Sequence, residues 1–358
     1  TMLWEIMTRY GFWLSDAVTG GEVRQYMRQM KDAMEGVSDG QPNDLSQLLR
    51  HAVETTPFYR PFAGYASLVD FPVIYKSFIK DRYESFFSSV YKDKPLFKIK
   101  TSGSTGERFV MLHDKSKRKR VAAELWYFLG RCGVGPGCAY IDAKIWHEDV
   151  RRTKWAQRLR NMKMFDCSSL SDESLDQLYW MLRKERGMKC LTGYATFLSA
   201  IASYFDAKGY TPDLFALKLV VSGAERLEHR TRKLLQKVFG CPVISRYANN
   251  ECGFLGQQEV GSEDFVLNTA HYHFETLKLE SDDPAQPGEP ARLILTDIYN
   301  RAMPLIRYNT GDIVIAKPFQ DKQYGKLALS ELSGRQDEII YDTRGNKICP
   351  HFVALKFR

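Results

Sequence analysis

The sequence predicts an α/β protein in which parallel-rich sheets are sandwiched by helices and a β-rich segment follows. Three observations carry this prediction. Residues 1–60 show the apolar spacing of helices, short β runs alternate with amphipathic helices from about residue 95, and β runs predominate after residue 264. Strands that alternate with helices indicate a layered and largely parallel sheet.

The predicted elements follow from local spacing. Near the N-terminus one helix face is formed by Leu45, Leu48, Leu49 and Val53, and Pro57 ends that helix. The next predicted strands are residues 96–99, 109–112, 138–141, 190–191, 217–221 and 243–245, and the helices are 115–130, 194–208 and 228–239. The later strands are 265–267, 273–279, 292–296 and 312–316.

Composition places the chain among globular proteins. Of 358 residues, 44% are hydrophobic and 26% are charged, and no run approaches the roughly 18 apolar residues that a membrane span needs. The first residues lack the pattern of a secretion signal. Seven scattered cysteines without a CxxC pair argue against a disulfide framework. We therefore expect a cytoplasmic protein without membrane insertion.

The net charge of +8 suits an anionic ligand. Much of it lies in two basic runs, at residues 115–120 and 151–163. We interpret both runs as solvated helix faces, because runs of like charge usually are. They lack interleaved aromatic residues at base-stacking spacing, so a nucleic-acid partner is not predicted.

The segment TSGSTG at residues 101–106 has the features of a phosphate-binding loop. Its two glycines allow close backbone approach, and its hydroxyl and N–H groups supply donors for phosphate oxygens. It lacks the lysine of a Walker loop, and a strand rather than a helix comes next. The alternative is a flexible hairpin of small polar residues.

Three further segments carry polar groups at positions where ligands bind. Asp312 follows a glycine turn in RYNTGD and can accept both ribose hydroxyls. Glu251 follows a predicted strand end in YANNE and can hold Mg²⁺. Arg335 in SGRQDE can pair with a phosphate or a ribose. The alternatives are a common turn, a surface ion pair and an ordinary loop.

In this order and spacing, the four segments resemble the motifs of the adenylate-forming superfamily of acyl-CoA synthetases and luciferases. LLRHAVETTPFYR, FPVIYKSFIKDRY and LTGYATFLSAIA are similar to the phenylacetate-CoA ligases and their capsular-polysaccharide relatives. The resemblance implies a large domain at residues 1–333, with a β-rich subdomain at about 264–333. Residues 334–358 would be the hinge and first hairpin of a lid whose remainder, with its catalytic lysine, is largely absent here.

The resemblance also implies roles for single residues. The phosphates of ATP would be bound by Ser102, Gly103, Ser104, Thr105 and Gly106. Thr105 would act in catalysis together with Glu251, the Mg²⁺ ligand, and Asn250, which stands where threonine or serine is usual. The adenine would contact Ser222, Gly223, Ala224, Glu225 and Tyr247, and the ribose Asp312 and Arg335. The acid pocket would include Tyr194, Ala195, Phe197 and Ile145.

The implied function is activation of an aryl or small organic acid by ATP and Mg²⁺ to an acyl-adenylate, followed by transfer to CoA. One alternative is transfer to an amine or hydroxyl acceptor, and another is a nucleotide-binding protein without catalysis. Partners would be the acid, ATP and the acceptor, and a homodimer is allowed.

Three weaker candidates complete the sequence analysis. Cys252, His271 and His273 could share a metal, but no fourth ligand is evident. Residues 146–149 (Trp-His-Glu-Asp) could line the acid pocket. Lys347 falls in the lid stub without a matching motif, so no role is predicted for it.

Overall fold

The computed structural model describes most of the chain. It covers residues 2–37, 40–101, 109–146, 151–184, 187, 189–317, 327–335, 340–341 and 347–348. The predicted phosphate-binding residues Ser102, Gly103, Ser104, Thr105 and Gly106 lie outside these ranges. No helix within them is long and apolar enough to cross a lipid bilayer.

The described helices follow the predicted pattern. They are α1 (Met2–Val18), α2 (Glu22–Met34), α3 (Gly40–Thr55), α4 (Lys76–Asp81), α5 (Lys115–Arg131), α6 (Lys154–Leu159), α7 (Asp172–Lys184), α8 (Ala195–Ala207) and α9 (His229–Phe239). Helix α3 ends two residues before Pro57, as the sequence predicts, and a 3-10 helix follows at Pro57–Phe62.

Each predicted strand has a counterpart in the structure that agrees with it to within a few residues at its ends. The strands of the structure are β1 (Phe97–Thr101), β2 (Phe109–His113), β3 (Tyr140–Lys144), β4 (Met162–Asp166), β5 (Cys190–Tyr194), β6 (Leu219–Gly223), β7 (Val243–Asn249), β8 (Gly253–Gln258), β9 (Phe265–Leu267), β10 (Tyr272–Leu277), β11 (Pro290–Asp297), β12 (Tyr308–Ala316), β13 (Ala328–Arg335), β14 (Ile340–Tyr341) and β15 (Lys347–Ile348).

Several elements have no counterpart in the sequence prediction, among them strands β4, β8 and β13 and helices α4 and α7. Strand β4 has the sequence MKMFD, without a β-branched residue, and it begins inside the basic run at residues 151–163. Helix α7 carries a clear signal, because Leu175, Leu178 and Leu182 recur on one face and are buried. Helix α7 was therefore predictable, whereas β4 has a single strand-favouring residue, Phe165.

The chain divides into two compact units. Unit 1 consists of Thr1–Arg24, Leu125–Tyr247 and Gln257–Glu263, and unit 2 consists of Gln25–Glu124, Ala248–Gly256 and Asp264–Arg358. The β-rich segment after residue 264 therefore belongs to one compact unit with residues 25–124.

Unit 1 contains a parallel sheet with the strand order β4-β3-β5-β6-β7. Both of its faces are apolar and covered. Val220 and Leu191 join a core with α7, α8 and α9, whereas Leu219 and Val221 join a second core with Leu129. Successive side chains of a strand point to opposite faces, so alternate residues of β6 belong to the two cores. This is the predicted sandwich of a parallel sheet between helices.

Unit 2 contains an antiparallel sheet with the order β10-β11-β12-β13-β9, and β1 and β2 form a hairpin. Residues that are far apart in sequence meet on this sheet. Ile74 donates its N–H to the Arg307 carbonyl at 3.0 Å, and its own carbonyl accepts the Asn309 N–H at 2.8 Å. The fully buried Tyr59 hydroxyl donates to the Pro304 carbonyl at 3.2 Å. These bonds attach residues 57–74 to the segment that leads into β12.

Candidate functional site

In unit 1, several predicted site residues lie at one edge of the parallel sheet. Tyr194 at the end of β5 is the register partner of Gly223 at the end of β6. Ser222 is likewise paired with Ser245 of β7, two residues before the buried Tyr247. The carboxyl ends of parallel strands share one edge, which is where α/β sheets bind ligands. The structure therefore brings together the strand ends that carry the predicted adenine-binding and acid-binding segments.

The predicted adenine loop at residues 222–225 has an unusual backbone. Ala224 has φ of +65°, in the left-handed region that costs a non-glycine residue about 1–3 kcal/mol. The Ser222 hydroxyl is fully buried and has no hydrogen-bond partner among the described residues. An unsatisfied buried hydroxyl is costly, and a ligand atom could supply the missing partner.

The last residue of this loop is engaged with helix α8. The Glu225 carboxylate accepts hydrogen bonds from the Thr196 N–H at 2.8 Å and the Thr196 hydroxyl at 3.2 Å. Thr196 lies in the first turn of α8, where backbone N–H groups have no partner within the helix. Glu225 therefore attaches the predicted adenine loop to the start of the predicted acid-binding helix.

The predicted acid-pocket residues differ in their exposure. Tyr194 and Ile145 are half-buried, and burial raises the pKa of the Tyr194 phenol. Ala195 is buried at the start of α8. Phe197 is 1% exposed and stacks on Phe165, with ring centroids 5.5 Å apart. Phe197 thus packs in the core of unit 1, and its contact with a substrate acid stays a prediction, as for the other three.

The weaker candidates are only partly described. The Trp146 indole donates to the Phe165 carbonyl at 3.1 Å, which gives this side chain a structural partner. Residues 147–149 lie outside the described ranges. Lys347 lies on β15, and only its backbone is described. The structure thus gives none of these a functional assignment.

In unit 2, the predicted metal ligand Glu251 is buried and forms an ion pair. Its side chain is almost fully buried, and Oε1 lies 3.1 Å from the Lys76 Nζ. Burying an unpaired carboxylate is costly, and the Lys76 ammonium offsets that cost. Lys76 carries no signal in the sequence, because nothing in its local context links it to a residue 175 positions later. The neighbouring Asn250 is exposed, and its amide lies 3.5 Å from the Lys100 carbonyl.

The donor chemistry at Glu251 fits a magnesium ion that is shared with a nucleotide. Mg²⁺ is usually held by one or two carboxylates plus substrate phosphates and water, rather than by a full protein cage. A single buried carboxylate that already faces a cation provides this kind of ligand. Among the described residues, no group of three or more His, Cys, Asp or Glu side chains could hold a metal.

This finding removes the alternative metal site at Cys252, His271 and His273 from the described part of the chain. Cys252 and His271 are buried, and the His271 Nδ1 lies 2.8 Å from Oε1 of the buried Glu124. A hydrogen bond to a protein carboxylate thus accounts for His271. Burial lowers the pKa of His273, which keeps that ring neutral at neutral pH.

The RYNTGD segment forms a turn that is fixed by its own side chains. Gly311 has φ of +80°, a value that favours glycine, and its N–H donates to the Asn309 Oδ1 at 2.8 Å. The Thr310 hydroxyl accepts the Asp312 N–H at 3.1 Å. The half-buried Asp312 on β12 is the register partner of Arg335 on β13. The two predicted ribose-binding residues therefore occupy adjacent backbone positions.

The interpretation of residues 115–120 as a solvated helix face is wrong. Lys117 is fully buried in unit 2, and its Nζ lies 2.8 Å from the Asp297 Oδ2 and 3.0 Å from the Tyr272 hydroxyl. Of the other cations in the run, Lys115 is exposed and the rest are half-buried. Lys117 in this run pairs with Asp297 and Tyr272, which are far away in sequence. The number of charged residues in the run does not predict such partners.

Similar proteins of known sequence include phenylacetate-coenzyme A ligases and the protein CapK. No protein-family model matches the chain. It is 26% identical to the protein CapK of Staphylococcus aureus over 255 residues, which are 70% of this chain and 54% of CapK. It is 24% identical to a phenylacetate-coenzyme A ligase of Thermus thermophilus over 335 residues, or 87% of this chain and 72% of that protein. The chain thus spans about half to three quarters of these relatives.

Solved structures of ligases share the fold. A 2-hydroxyisobutyryl-CoA ligase in complex with 2-HIB-AMP and CoA superposes with a TM-score of 0.67 at 17% identity, covering 86% of this chain and 76% of that one. An acyl acid amido synthetase in complex with 2,4-DB superposes with a TM-score of 0.59 at 13% identity, covering 91% and 73%. At these identities the likeness shows the fold, which agrees with the predicted layered α/β architecture.

Proposed function

We propose that this chain, a phenylacetate-CoA ligase-like protein with the adenylate-forming fold, activates a carboxylic acid with ATP. The acid would become an acyl-adenylate, with release of pyrophosphate. The acyl group would then pass to CoA as a thioester. The relatives named phenylacetate-coenzyme A ligase support this proposal, since the similarity to them extends over most of the chain.

The observation that carries the proposal is the environment of Glu251. This carboxylate is 4% exposed and lies 3.1 Å from an ammonium group. The Lys76 side chain is 25% exposed, and an ion pair of this kind contributes little net stability, so stability alone does not account for the pair. Glu251 and Lys76 together provide an anion for Mg²⁺ and a cation for phosphate oxygens, which a phosphoryl-transfer site needs.

The roles of the other residues follow from the motif resemblance. Tyr247 and residues 222–225 would contact the adenine, and the unsatisfied Ser222 hydroxyl would gain a partner there. Asp312 and Arg335, at paired positions on β12 and β13, would bind the ribose. Residues 102–106, with the predicted catalytic Thr105 among them, would bind the phosphates. Asn250 would donate to an α-phosphate oxygen through its exposed amide.

The chemistry consists of two displacements. In the first, a carboxylate oxygen of the acid attacks the α-phosphorus of ATP, and the bond to the β-phosphate oxygen breaks to release pyrophosphate. Mg²⁺, when bound, neutralises phosphate charge. Lys76 would supply a second positive charge near the phosphates. Glu251 would orient the Lys76 ammonium through the 3.1 Å ion pair. In the second displacement, the acceptor thiol attacks the acyl carbon, loses its proton and releases AMP.

An amine or hydroxyl acceptor is the main alternative to CoA. The solved neighbours include both CoA ligases and an acyl acid amido synthetase, so the shared fold accommodates thiol and amine acceptors. The similarity to the capsule-related CapK favours testing sugar acceptors as well. We take CoA as the first acceptor, because three of the sequence relatives are named phenylacetate-coenzyme A ligases.

The test is acid-dependent exchange of labelled pyrophosphate into ATP by the full-length protein, over a panel of aryl and small organic acids. Exchange with at least one acid is expected. CoA-dependent release of AMP would then identify the acceptor, with amines and sugars in parallel. If the protein binds ATP with Mg²⁺ but no acid supports exchange, the non-catalytic alternative replaces this proposal.

A pair of variants tests the role of the lysine. Lys76→Gln should lower the exchange rate about tenfold or more, the factor that corresponds to one lost hydrogen bond with a charged group. Lys80→Gln, one turn further along α4, is the matched control and should keep the parental rate. Equal rates for the two variants would contradict the assignment of Lys76.

A further inference from the structure

Unit 2 contains a buried polar cluster that the sequence analysis did not predict. We call it the Glu124 cluster, and its members are Lys117, Glu124, His271, Tyr272 and Asp297. Each of these residues is at most 1% exposed. Two carboxylates, one ammonium and one imidazole are therefore enclosed in a single part of the unit.

Short contacts connect the members of the cluster. The Lys117 Nζ lies 2.8 Å from the Asp297 Oδ2 and donates to the Tyr272 hydroxyl at 3.0 Å. The Glu124 Oε1 lies 2.8 Å from the His271 Nδ1 and 3.0 Å from the Tyr272 hydroxyl. Tyr272 therefore receives a hydrogen bond from the ammonium, and its single proton has two acceptors at 3.0 Å, the Glu124 carboxylate and the Cys252 carbonyl.

The charges within the cluster follow from these contacts. Burial lowers the pKa of Lys117, but the nearby carboxylates of Asp297 and Glu124 outweigh burial, so the pKa is raised and the ammonium persists. Burial raises the pKa of Glu124, yet Lys117 and the bond from His271 outweigh it, so Glu124 stays ionised. Burial lowers the pKa of His271 to about 4, so its ring is neutral at neutral pH.

The cluster extends to the backbone that carries Glu251. The Glu124 Oε2 accepts the Phe254 N–H at 3.0 Å, and the Tyr272 hydroxyl lies 3.0 Å from the Cys252 carbonyl. The His113 Nε2 lies 2.8 Å from the Glu251 carbonyl. Burial lowers the pKa of His113 to about 3, so this ring is neutral and donates its N–H. Three of the four residues in the turn at 251–254 are thus held by buried polar groups.

Gly253 completes this contact between the turn and the cluster. Its φ is +126°, and a Cβ at this position would lie 2.8 Å from the Glu124 Oε2 and 2.8 Å from the Val121 Cγ2. Only glycine allows the backbone to approach these side chains so closely. The backbone at Gly253 therefore packs directly against Glu124, in addition to the hydrogen bond from the Phe254 N–H.

Stability does not explain such an arrangement. Enclosing an ammonium and two carboxylates is expensive, and apolar side chains of similar volume often give an equal or greater free energy of unfolding. Two of the contacts that leave the cluster, from the Glu124 Oε2 and the Tyr272 hydroxyl, reach the turn after β7, which presents the Glu251 side chain. The Asp297 Oδ1 accepts the N–H groups of Tyr299 and Asn300 instead. A role in the geometry of the turn after β7 accounts for both observations.

We propose that Tyr272 and Glu124 are positioning residues that hold Glu251 in the orientation that binds the metal–nucleotide complex. This inference rests on the proposed function, in which Glu251 is the metal ligand. Neither residue touches the nucleotide in this proposal, and both act through the backbone of residues 252–254. Lys117 supports them by orienting the Tyr272 hydroxyl.

The test measures metal binding rather than turnover. The full-length protein is titrated with Mn²⁺ in the presence of a non-hydrolysable ATP analogue, and bound Mn²⁺ is followed by electron paramagnetic resonance. The variants are Glu251→Gln, Tyr272→Phe and Tyr59→Phe. Tyr59 is the matched control, because it is also 0% exposed and its hydroxyl bonds the backbone at Pro304 and Ile306. Thermal unfolding is recorded for every variant.

Tyr272→Phe should weaken Mn²⁺ binding by about two- to tenfold, the range that corresponds to one hydrogen bond. Glu251→Gln should weaken Mn²⁺ binding more than Tyr272→Phe does. Tyr59→Phe should leave Mn²⁺ binding unchanged even if this substitution lowers the melting temperature. Parental Mn²⁺ affinity in Tyr272→Phe, or equal losses in Tyr272→Phe and Tyr59→Phe, would overturn the positioning role alone. If the parent protein binds no Mn²⁺ with the nucleotide, the proposed function itself fails.

Discussion

Replacement of Lys117 by methionine should strongly destabilise the protein. Lys117 and Asp297 are both 0% exposed, and their charged atoms lie 2.8 Å apart. Methionine has a similar length, so the change removes the charge while leaving little new cavity. Breaking a buried pair from one side costs about 3–5 kcal/mol, because the remaining charge is left uncompensated. We expect a loss of that size in the free energy of unfolding at pH 7.

A second substitution should recover most of this loss. Asp297→Asn in the Lys117→Met background removes the charge in direct contact with position 117, while Glu124 keeps its bonds from His271 and Phe254. The new amide oxygen can still accept from the N–H groups of Tyr299 and Asn300, which the Asp297 Oδ1 accepts at 3.2 Å and 3.3 Å in the parent. Urea denaturation of the parent, the single variant and the double variant measures both effects. A single-variant loss below about 1 kcal/mol, or no recovery in the double variant, would refute the reasoning.

The same prediction has a pH signature. Burial raises the pKa of Asp297, and the Lys117 charge opposes that rise. Without Lys117 the pKa rises further above its value in the unfolded chain. A group with a raised pKa stabilises the fold below its unfolded pKa and loses that contribution as the pH rises. The difference in the free energy of unfolding between the parent and Lys117→Met should therefore become smaller as the pH is lowered from 7.

Three further predictions concern other residues. Asp312→Ala should weaken ATP binding at least about tenfold in calorimetry, since a hydrogen bond to a charged group is lost; unchanged affinity in a folded variant would contradict the ribose assignment. Gly253→Ala should lower the melting temperature, because a Cβ there would lie 2.8 Å from a buried carboxylate oxygen. Burial lowers the pKa of His113 to about 3 and of His271 to about 4, so stability should fall as the pH drops below 6.5, with a gentler slope in His271→Gln.

The regular elements could be predicted because their signals are local. The apolar stripe of α3 and the alternation of strands and helices between β3 and α9 are visible within windows of a few residues. The motif segments at residues 222–225 and 247–251 were instead identified by resemblance, and the structure places them at the ends of β6 and β7. Their binding roles stay predictions. Strand β4 was missed, because methionine and lysine do not mark a strand.

The partners of charged residues could not be predicted in this way. The run at residues 115–120 has the composition of an exposed helix face, yet Lys117 is enclosed by groups that lie 155 and 180 positions later. Lys76 and Glu251 likewise meet across 175 positions. Composition describes what a side chain is, whereas its burial depends on which distant segments fold against it.

The bond between Glu225 and helix α8 has a consequence for how ligands act within unit 1. One carboxylate accepts hydrogen bonds from both the N–H and the hydroxyl of Thr196, so these two bonds connect the loop at residues 222–225 to the first turn of the helix. If a bound nucleotide base displaced this loop, the first turn of α8 would have to shift with it, or both Glu225–Thr196 hydrogen bonds would break. Recognition of the base and of the acid would then be mechanically linked through a single side chain.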